Sequence, residues 1–311
     1  MRKLGRSSGM VTGEARLRPS LDAAYDFDAL LALTNTRLAA LMPRESGDET
    51  GVLLTASRMA VLGQGKRVRP LITMLACAHA GGDAQRALDF GCAVEIVHAA
   101  SLVLDDLPCM DDATIRRGAP TVHRAYGEDA AVLSAIALVN EAHRTILNDQ
   151  GLGADCKLAL QGLLISAIGF EGLAQGQMRD LRDGAEARTE HGLRQLNHLK
   201  TGALFVAACR GGGLIGGASP DQIASLSRVG AAIGFAFQLC DDLLDATATV
   251  ETAGKNVAQD QGKLNFVDLW GPGRFRAAVR QCVSEANRNL GTDSPIGAYV
   301  TDLFSHAAFP G

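Results

Sequence analysis

The sequence predicts a single all-helical domain, on three observations. Apolar residues recur at three- and four-residue spacing over long windows. Alternating, strand-like stretches are scarce, and β-branched runs are short. The breaks between windows carry turn chemistry, with no linker long enough to divide the chain. At 311 residues, 47% hydrophobic and 21% charged, the chain can bury a substantial core, which excludes global disorder.

Met1 to Ala15 mix Arg, Lys, Gly and Ser without an apolar segment, so they read as a disordered leader and not as a secretory signal. Residues 16–311 then form the domain. Helical periodicity covers Leu21–Leu41, Val68–Ala80, Ala87–Leu104 and Ala130–Leu147, then Lys157–Met178, Leu193–Leu214, Pro220–Asp245 and Arg274–Leu290. Between them lie Gly81-Gly82-Asp83, Gly118-Ala119-Pro120, Gly151-Leu152-Gly153, Gly216 to Pro220, and Gly271-Pro272-Gly273. Ser219 and Pro220 make an N-cap followed by a first helical residue. Gly211-Gly212-Gly213 follows a helix and lacks the Lys-Ser/Thr ending of a phosphate loop, so close helix packing is expected there. The helices ending at Asp105 and Asp245 are apolar nearly all round, which makes them central.

The net charge of −4, without a block of like charges, argues against nucleic acid as a partner. It leaves room for a small anion held by local cations. The seven cysteines are scattered and include no C-x-x-C pair, as expected of reduced thiols in a cytoplasmic protein. No run reaches eighteen uninterrupted apolar residues, so no membrane span is expected.

Two aspartate clusters carry the chemistry: Asp105-Asp106-Leu-Pro-Cys-Met-Asp111-Asp112 and Asp241-Asp242-Leu-Leu-Asp245. Each ends an apolar helix, where carboxylates without cations would be costly. Asp241 and Asp245 are four apart and share a helix face. Asp105 and Asp111 are six apart and do not align on a regular helix. Pro108 ends the regular turn, allowing the chain to curl back and bring Asp111 toward Asp105. Oxygen-only clusters suit Mg²⁺, which commonly joins a few carboxylates to substrate phosphates. The complementary cations are Lys66, Arg67 and Arg69 before Pro70, Arg116-Arg117-Gly118, and Lys200-Thr201. His98 lies two turns before Asp105 on the same face. Gln175, Gln177 and Asp180 form a polar face able to orient Lys200. Gln238 and Lys255 bracket the second cluster. Two central helices delivering acids to one end would make a deep, apolar cavity with a charged mouth, a geometry for a lipid diphosphate.

With these motifs in this order, from about Leu30 to Val267, the chain resembles the trans-isoprenyl diphosphate synthases, and in particular bacterial geranylgeranyl diphosphate synthases of carotenoid pathways. The resemblance implies an orthogonal all-α bundle around a deep cavity, a homodimer, and about three Mg²⁺ ions. By matching motif positions, it implies that Asp105 and Asp111 bind metal with support from Asp106, and that Asp241 binds a further ion with Asp245 acting indirectly. Arg116, Lys200 and Lys255 would hold the allylic diphosphate, with Thr201 and Gln238 near the allylic carbon and Lys263 in a closing segment. Lys66, Arg69, His98 and Arg117 would hold isopentenyl diphosphate. The implied partners are isopentenyl diphosphate and the dimethylallyl, geranyl and farnesyl diphosphates.

Product length follows from the channel beside the helix that ends in Asp105. Five residues back, about 7.5 Å along the axis, stands Ala100, with Ala99 beside it. Farnesyl-forming relatives of the Pro-containing type usually place an aromatic ring there. Small residues leave the channel open for a twenty-carbon product, with Leu133 or Ile136 as its expected floor. A farnesyl diphosphate synthase and a non-catalytic partner subunit are the alternatives. The complete acid clusters disfavour the subunit, and the second set of cations disfavours a terpene cyclase or a squalene-type enzyme.

Overall fold

The computed structural model describes residues 25–43, 51–184, 187, 189–247, 266–290 and 294–307. The leader expected at residues 1–15 lies outside them.

The chain opens with α1 (Phe27–Leu41), whose first turn is capped by the Asp26 carboxylate accepting from the Ala29 amide at 3.0 Å. Then come α2 (Val52–Leu62), α3 (Val68–His79) and α4 (Leu88–Asp105). A two-stranded antiparallel hairpin, β1 (Ile115–Arg116) and β2 (Ala119–Pro120), leads into the short α5 (Val122–Tyr126) and the long α6 (Glu128–Asn148). Next are α7 (Ala154–Ile168), α8 (Leu173–Arg182) and α9 (Glu190–Asn197). A π-helical turn over His198–Gly202 joins α9 to α10 (Ala203–Gly216). The chain continues through α11 (Pro220–Thr247), α12 (Phe266–Leu290, bent at Gly271) and α13 (Pro295–Ala307).

Helix α10 packs between α3 and α11, α4 lies between α3 and α6, and α12 covers α11. Val68 to Cys77 of α3 are all buried, and most of α4 is too, as their nearly uniform apolar character requires. The glycine triplet is what lets α10 in. A Cβ on Gly212 would collide with the Thr73 carbonyl oxygen, and one on Gly211 with the Phe90 ring. Close packing, not phosphate binding, is therefore its role. At the start of α11 the Ser219 hydroxyl accepts from the Gln222 amide at 3.3 Å, while the Gln222 side chain accepts from the Ser219 amide at 2.8 Å. This reciprocal cap follows from Ser-Pro-Asp-Gln.

Arg67 fastens three helices at one point. It adopts a left-handed backbone (φ 47°) immediately before α3. Its guanidinium donates to Asn35 on α1 at 3.0 Å, to Glu95 on α4 at 3.0 Å, and to the Gly63 carbonyl after α2 at 2.6 Å. The pair with Glu95 is buried, which stabilises only because these further bonds complete it.

Several expectations need correcting. The single helix expected over Lys157–Met178 breaks at Gly169–Gly172 into α7 and α8, and the one over Leu193–Leu214 contains the π turn. Helices α2, α5 and α13 and the hairpin were not anticipated. Among the described residues, four helical stretches, such as Glu128–Asn148 and Pro220–Leu243, are long and apolar enough to cross a bilayer by length and composition alone. A count of uninterrupted apolar runs does not register them, because isolated polar residues interrupt each one. The apolar character of α4 is spent largely inside the bundle, where 72% of its window is buried.

Candidate active site

Asp105 is the last residue of α4. Beyond it Leu107 to Asp112 fold back: the Asp111 amide donates to the Asp105 carbonyl at 3.0 Å, and the Asp112 amide to that of Leu107 at 3.0 Å. Asp112 takes a positive φ of 47° to close the loop. Asp111 thus returns to Asp105 despite its awkward spacing. Both line a cavity of about 180 Å³, and Asp241 lines it from α11. Arg69, His98 and Arg116 share this cavity, as do Lys200, Thr201 and Gln238 from the two remaining sides.

The supporting bonds explain the positions. Lys200 sits in the π turn and donates to Asp180 of α8 at 2.7 Å. Helix α8 approaches this closely because Gly176 faces the Lys200 backbone, where a Cβ would lie 2.5 Å from its amide nitrogen. The Thr201 hydroxyl donates to Gln238 Oε1 at 2.7 Å, and Gln238 Nε2 donates to Asp242 at 2.9 Å. The amide of Gln238 is therefore fixed with its oxygen toward Thr201.

Electrostatics here are dominated by desolvation. Burial pushes the Asp105 carboxyl up to about 6; Lys200 opposes this and Asp111 adds to it. Burial disfavours the charge on Lys200, but Asp105 and Asp180 outweigh it and hold the ammonium above its ordinary value. Burial, followed by the charges of Arg69 and Arg117, drives His98 well below the usual imidazole range. A neutral His98 can donate one N–H to an anion without adding charge. Burial lowers Arg69 to about 10, which leaves it protonated at neutral pH. Its guanidinium lies 4.5 Å from the Phe205 ring centre, and its Nε has no protein partner among the described residues.

Other sequence-assigned residues lie elsewhere. Asp106 is 3% exposed and lines a neighbouring cavity instead of this one. It accepts from Arg116 Nε at 2.9 Å and also from Nη2, an ion pair that aims the arginine. Arg117 and Ala99 line an adjoining cavity of about 390 Å³ between α2, α4 and the hairpin, which shares Leu102 and Arg116 with the first. Lys66 is exposed on the turn before α3. Ala100 is 1% exposed and lines neither cavity. Asp245 belongs to α11, but its side chain lies outside the described residues, as do Lys255 and Lys263 altogether. Leu133 and Ile136 are 55% and 56% exposed on the outer face of α6, so they do not floor a cavity within this chain. The cavity wall of α4 is His98, Ser101, Leu102 and Asp105. Ser101, four residues before Asp105, shares this face by helical spacing, whereas Ala100, five before, turns away from it.

Among the described residues no three acidic, His or Cys side chains converge tightly enough to hold a metal unaided. What exists is a divided oxygen set, with Asp105 and Asp111 on one wall and Asp241 on another. This donor chemistry fits Mg²⁺ held jointly by a few carboxylates and a phosphorylated ligand, since Mg²⁺ rarely sits in an all-protein cage.

The chain matches the polyprenyl synthetase family over residues 51–267. It is 39% identical to the geranylgeranyl diphosphate synthase of Pantoea ananas, over 91% of this chain and 92% of that one. A chloroplastic geranylgeranyl pyrophosphate synthase of Arabidopsis thaliana is 38% identical, over 92% of this chain and 83% of its own. Among solved structures, an FPP/GFPP synthase from Zymomonas mobilis superposes with a TM-score of 0.79 at 31% identity, covering 91% of this chain and 97% of that one. A Helicobacter pylori geranyltransferase complexed with magnesium and isoprenyl diphosphate gives 0.81 at 25% identity, covering 93% and 99%. Over that length and at that identity, the chain belongs to the polyprenyl synthetase family and has its all-α isoprenoid synthase fold.

Proposed function

We propose that this protein is a chain-elongating prenyltransferase that condenses isopentenyl diphosphate with allylic diphosphates, using Mg²⁺, to give geranylgeranyl diphosphate. The observation that carries this reading is the shared cavity, where Asp105 and Asp111 face Asp241 amid Arg69, His98, Arg116 and Lys200. Acids from two helices can share a diphosphate, while the cations neutralise it.

Bound Mg²⁺ would supply Lewis-acid stabilisation of the departing diphosphate, held by Asp105, Asp111 and Asp241. Lys200 and Arg116 add charge stabilisation as the allylic C–O bond breaks, already oriented by Asp180 and Asp106. Arg69 and neutral His98 fit the second diphosphate, which holds the isopentenyl double bond beside the allylic carbon. Attack forms the new C–C bond, and the proton lost in closing the new double bond goes to the released diphosphate. Thr201 and Gln238 present fixed dipoles to the reacting centre. The apolar wall of Leu102, Leu173, Leu204 and Phe237 keeps water from the cation.

A farnesyl product is the second reading, favoured by the modest cavity and by Ala100 lying off its wall. A homodimer is supported by the apolar face that α6 and α7 leave exposed, with Val132, Leu133, Ile136, Leu158 and Ile165. A cytoplasmic location is supported by seven free thiols, and the twenty-carbon product would feed carotenoid formation. Incubation with isopentenyl diphosphate and each allylic starter, with and without Mg²⁺, followed by chromatography of the dephosphorylated products, tests the reading. Metal-dependent twenty-carbon alcohol is expected; fifteen carbons favours the second reading, and no elongation from any starter overturns both.

A further inference from the structure

A second cavity, of about 310 Å³, lies behind the π turn between α9, α11 and α12. It shares no lining residue with the acid-lined cavity. Its volume is at the lower edge of ordinary small-molecule sites. Asn197, Gly202, Ala232 and Cys282 are buried within it, while Arg228, Gln281 and Glu285 are exposed at its mouth.

Asn197 is 5% exposed, yet neither its Oδ1 nor its Nδ2 has a hydrogen-bond partner among the described residues. Buried amides are normally bonded, so this one asks for a ligand with one donor and one acceptor. The two arginines on the wall are already engaged. Arg194 donates to Glu190 at 3.1 Å and lies 4.5 Å over the Phe235 ring, while Arg228 donates to Asn289 at 2.9 Å and to Ser225 at 2.9 Å. Glu285 adds a negative charge. An anionic head group therefore gains little here. A carboxamide answers both atoms of Asn197, and Ala231, Ala232, Ala278 and Phe235 offer apolar cover to a small ring.

We infer that this cavity is a second ligand site, for a small molecule bearing a carboxamide on an apolar or aromatic body, and that it acts as an effector site. The effector role rests on the prenyltransferase reading; the binding does not. Coupling is direct in the fold. Asn197 and Gly202 flank Lys200 and Thr201 in one turn, and Phe235 precedes Gln238 by three residues on α11.

Benzamide is the probe, titrated to millimolar concentration against the full chain by ligand-observed NMR. Saturable binding is expected. It should weaken about tenfold, the equivalent of one good hydrogen bond, in Asn197→Leu, and disappear in Ala231→Phe, which fills the cavity from α11. Benzoate should bind about tenfold more weakly than benzamide. Both variants must retain the helical circular dichroism and cooperative melting of the parent. Absence of saturable benzamide binding, or equal binding by either variant, overturns the site. In condensation assays, saturating benzamide should change the rate at least about twofold in the parent and not in Asn197→Leu. Binding with an unchanged rate overturns the effector role.

Discussion

Gln238 Nε2 donates to the Asp242 carboxylate at 2.9 Å, one turn further along α11. The other Asp242 oxygen accepts the backbone amide of Phe266 at 3.4 Å, the first residue of α12. One carboxylate thus fixes an amide of the cavity lining and receives an orphan N–H of a helix start. Asp242→Ala should release both. Activity is expected to fall by about 10- to 100-fold, as when other supporting partners of a site are lost. Asp242→Asn should retain more, since it keeps an acceptor for Gln238. Steady-state kinetics of the two variants checks this order.

Asp106 and Arg116 predict a stability effect. The aspartate side chain is 5% exposed and the arginine 24%. Truncating Asp106 to Ala leaves a partly buried guanidinium without its carboxylate, at a cost of about 3 kcal/mol. Adding Arg116→Leu should recover part of that stability while activity stays low. Urea unfolding of the single and double variants measures the coupling.

Asp105 predicts a pH dependence. Its folded pKa of about 6 exceeds the ordinary 3.8, so the folded state holds that proton more tightly than the unfolded chain. Stability of the metal-free protein from this group is full below pH 4, declines as pH rises through 6, and is then level. Asp105→Asn cannot ionise. It should stabilise the metal-free protein above pH 6 by on the order of 2 kcal/mol, have no such effect at pH 4, and abolish condensation. Thermal melts across that range, with EDTA present, provide the measurement.

Product length turns on which α4 face meets the cavity. Ser101 and Leu102 line it; Ala100 is packed inside. Ser101→Phe should shorten the product with the fold intact. Ala100→Phe should instead overpack the core and cost about 1–3 kcal/mol. Product chromatography and melting of the two variants separate the outcomes.

The sequence made the helices legible wherever one face stays apolar for several turns, as in α4, α6 and α11. It concealed the π turn, where apolar spacing continues and only backbone geometry interrupts it; at Gly169–Gly172 two glycines mark the break, but apolar residues on both sides keep the helical spacing. The hairpin was hidden by its brevity, with two residues in each strand. Most site residues were legible because charge at the end of an apolar helix needs explaining. The division of labour between Asp105 and Asp106 was not, since adjacent residues on a helix end point about 100° apart. Which one faces the cavity depends on where Arg116 returns from the hairpin.

The π turn at His198–Gly202 has one last consequence. Its wider coil takes up one extra residue, so everything downstream lags by about 100° relative to an unbroken α-helix of the same residue count. Straightening the turn without removing a residue would swing Gly211 and Gly212 away from Phe90 and Thr73, jamming bulkier neighbours against α3 and α4. A one-residue deletion inside the turn should therefore be better tolerated than one elsewhere on this rod, so its phase, more than its length, is what inheritance must preserve.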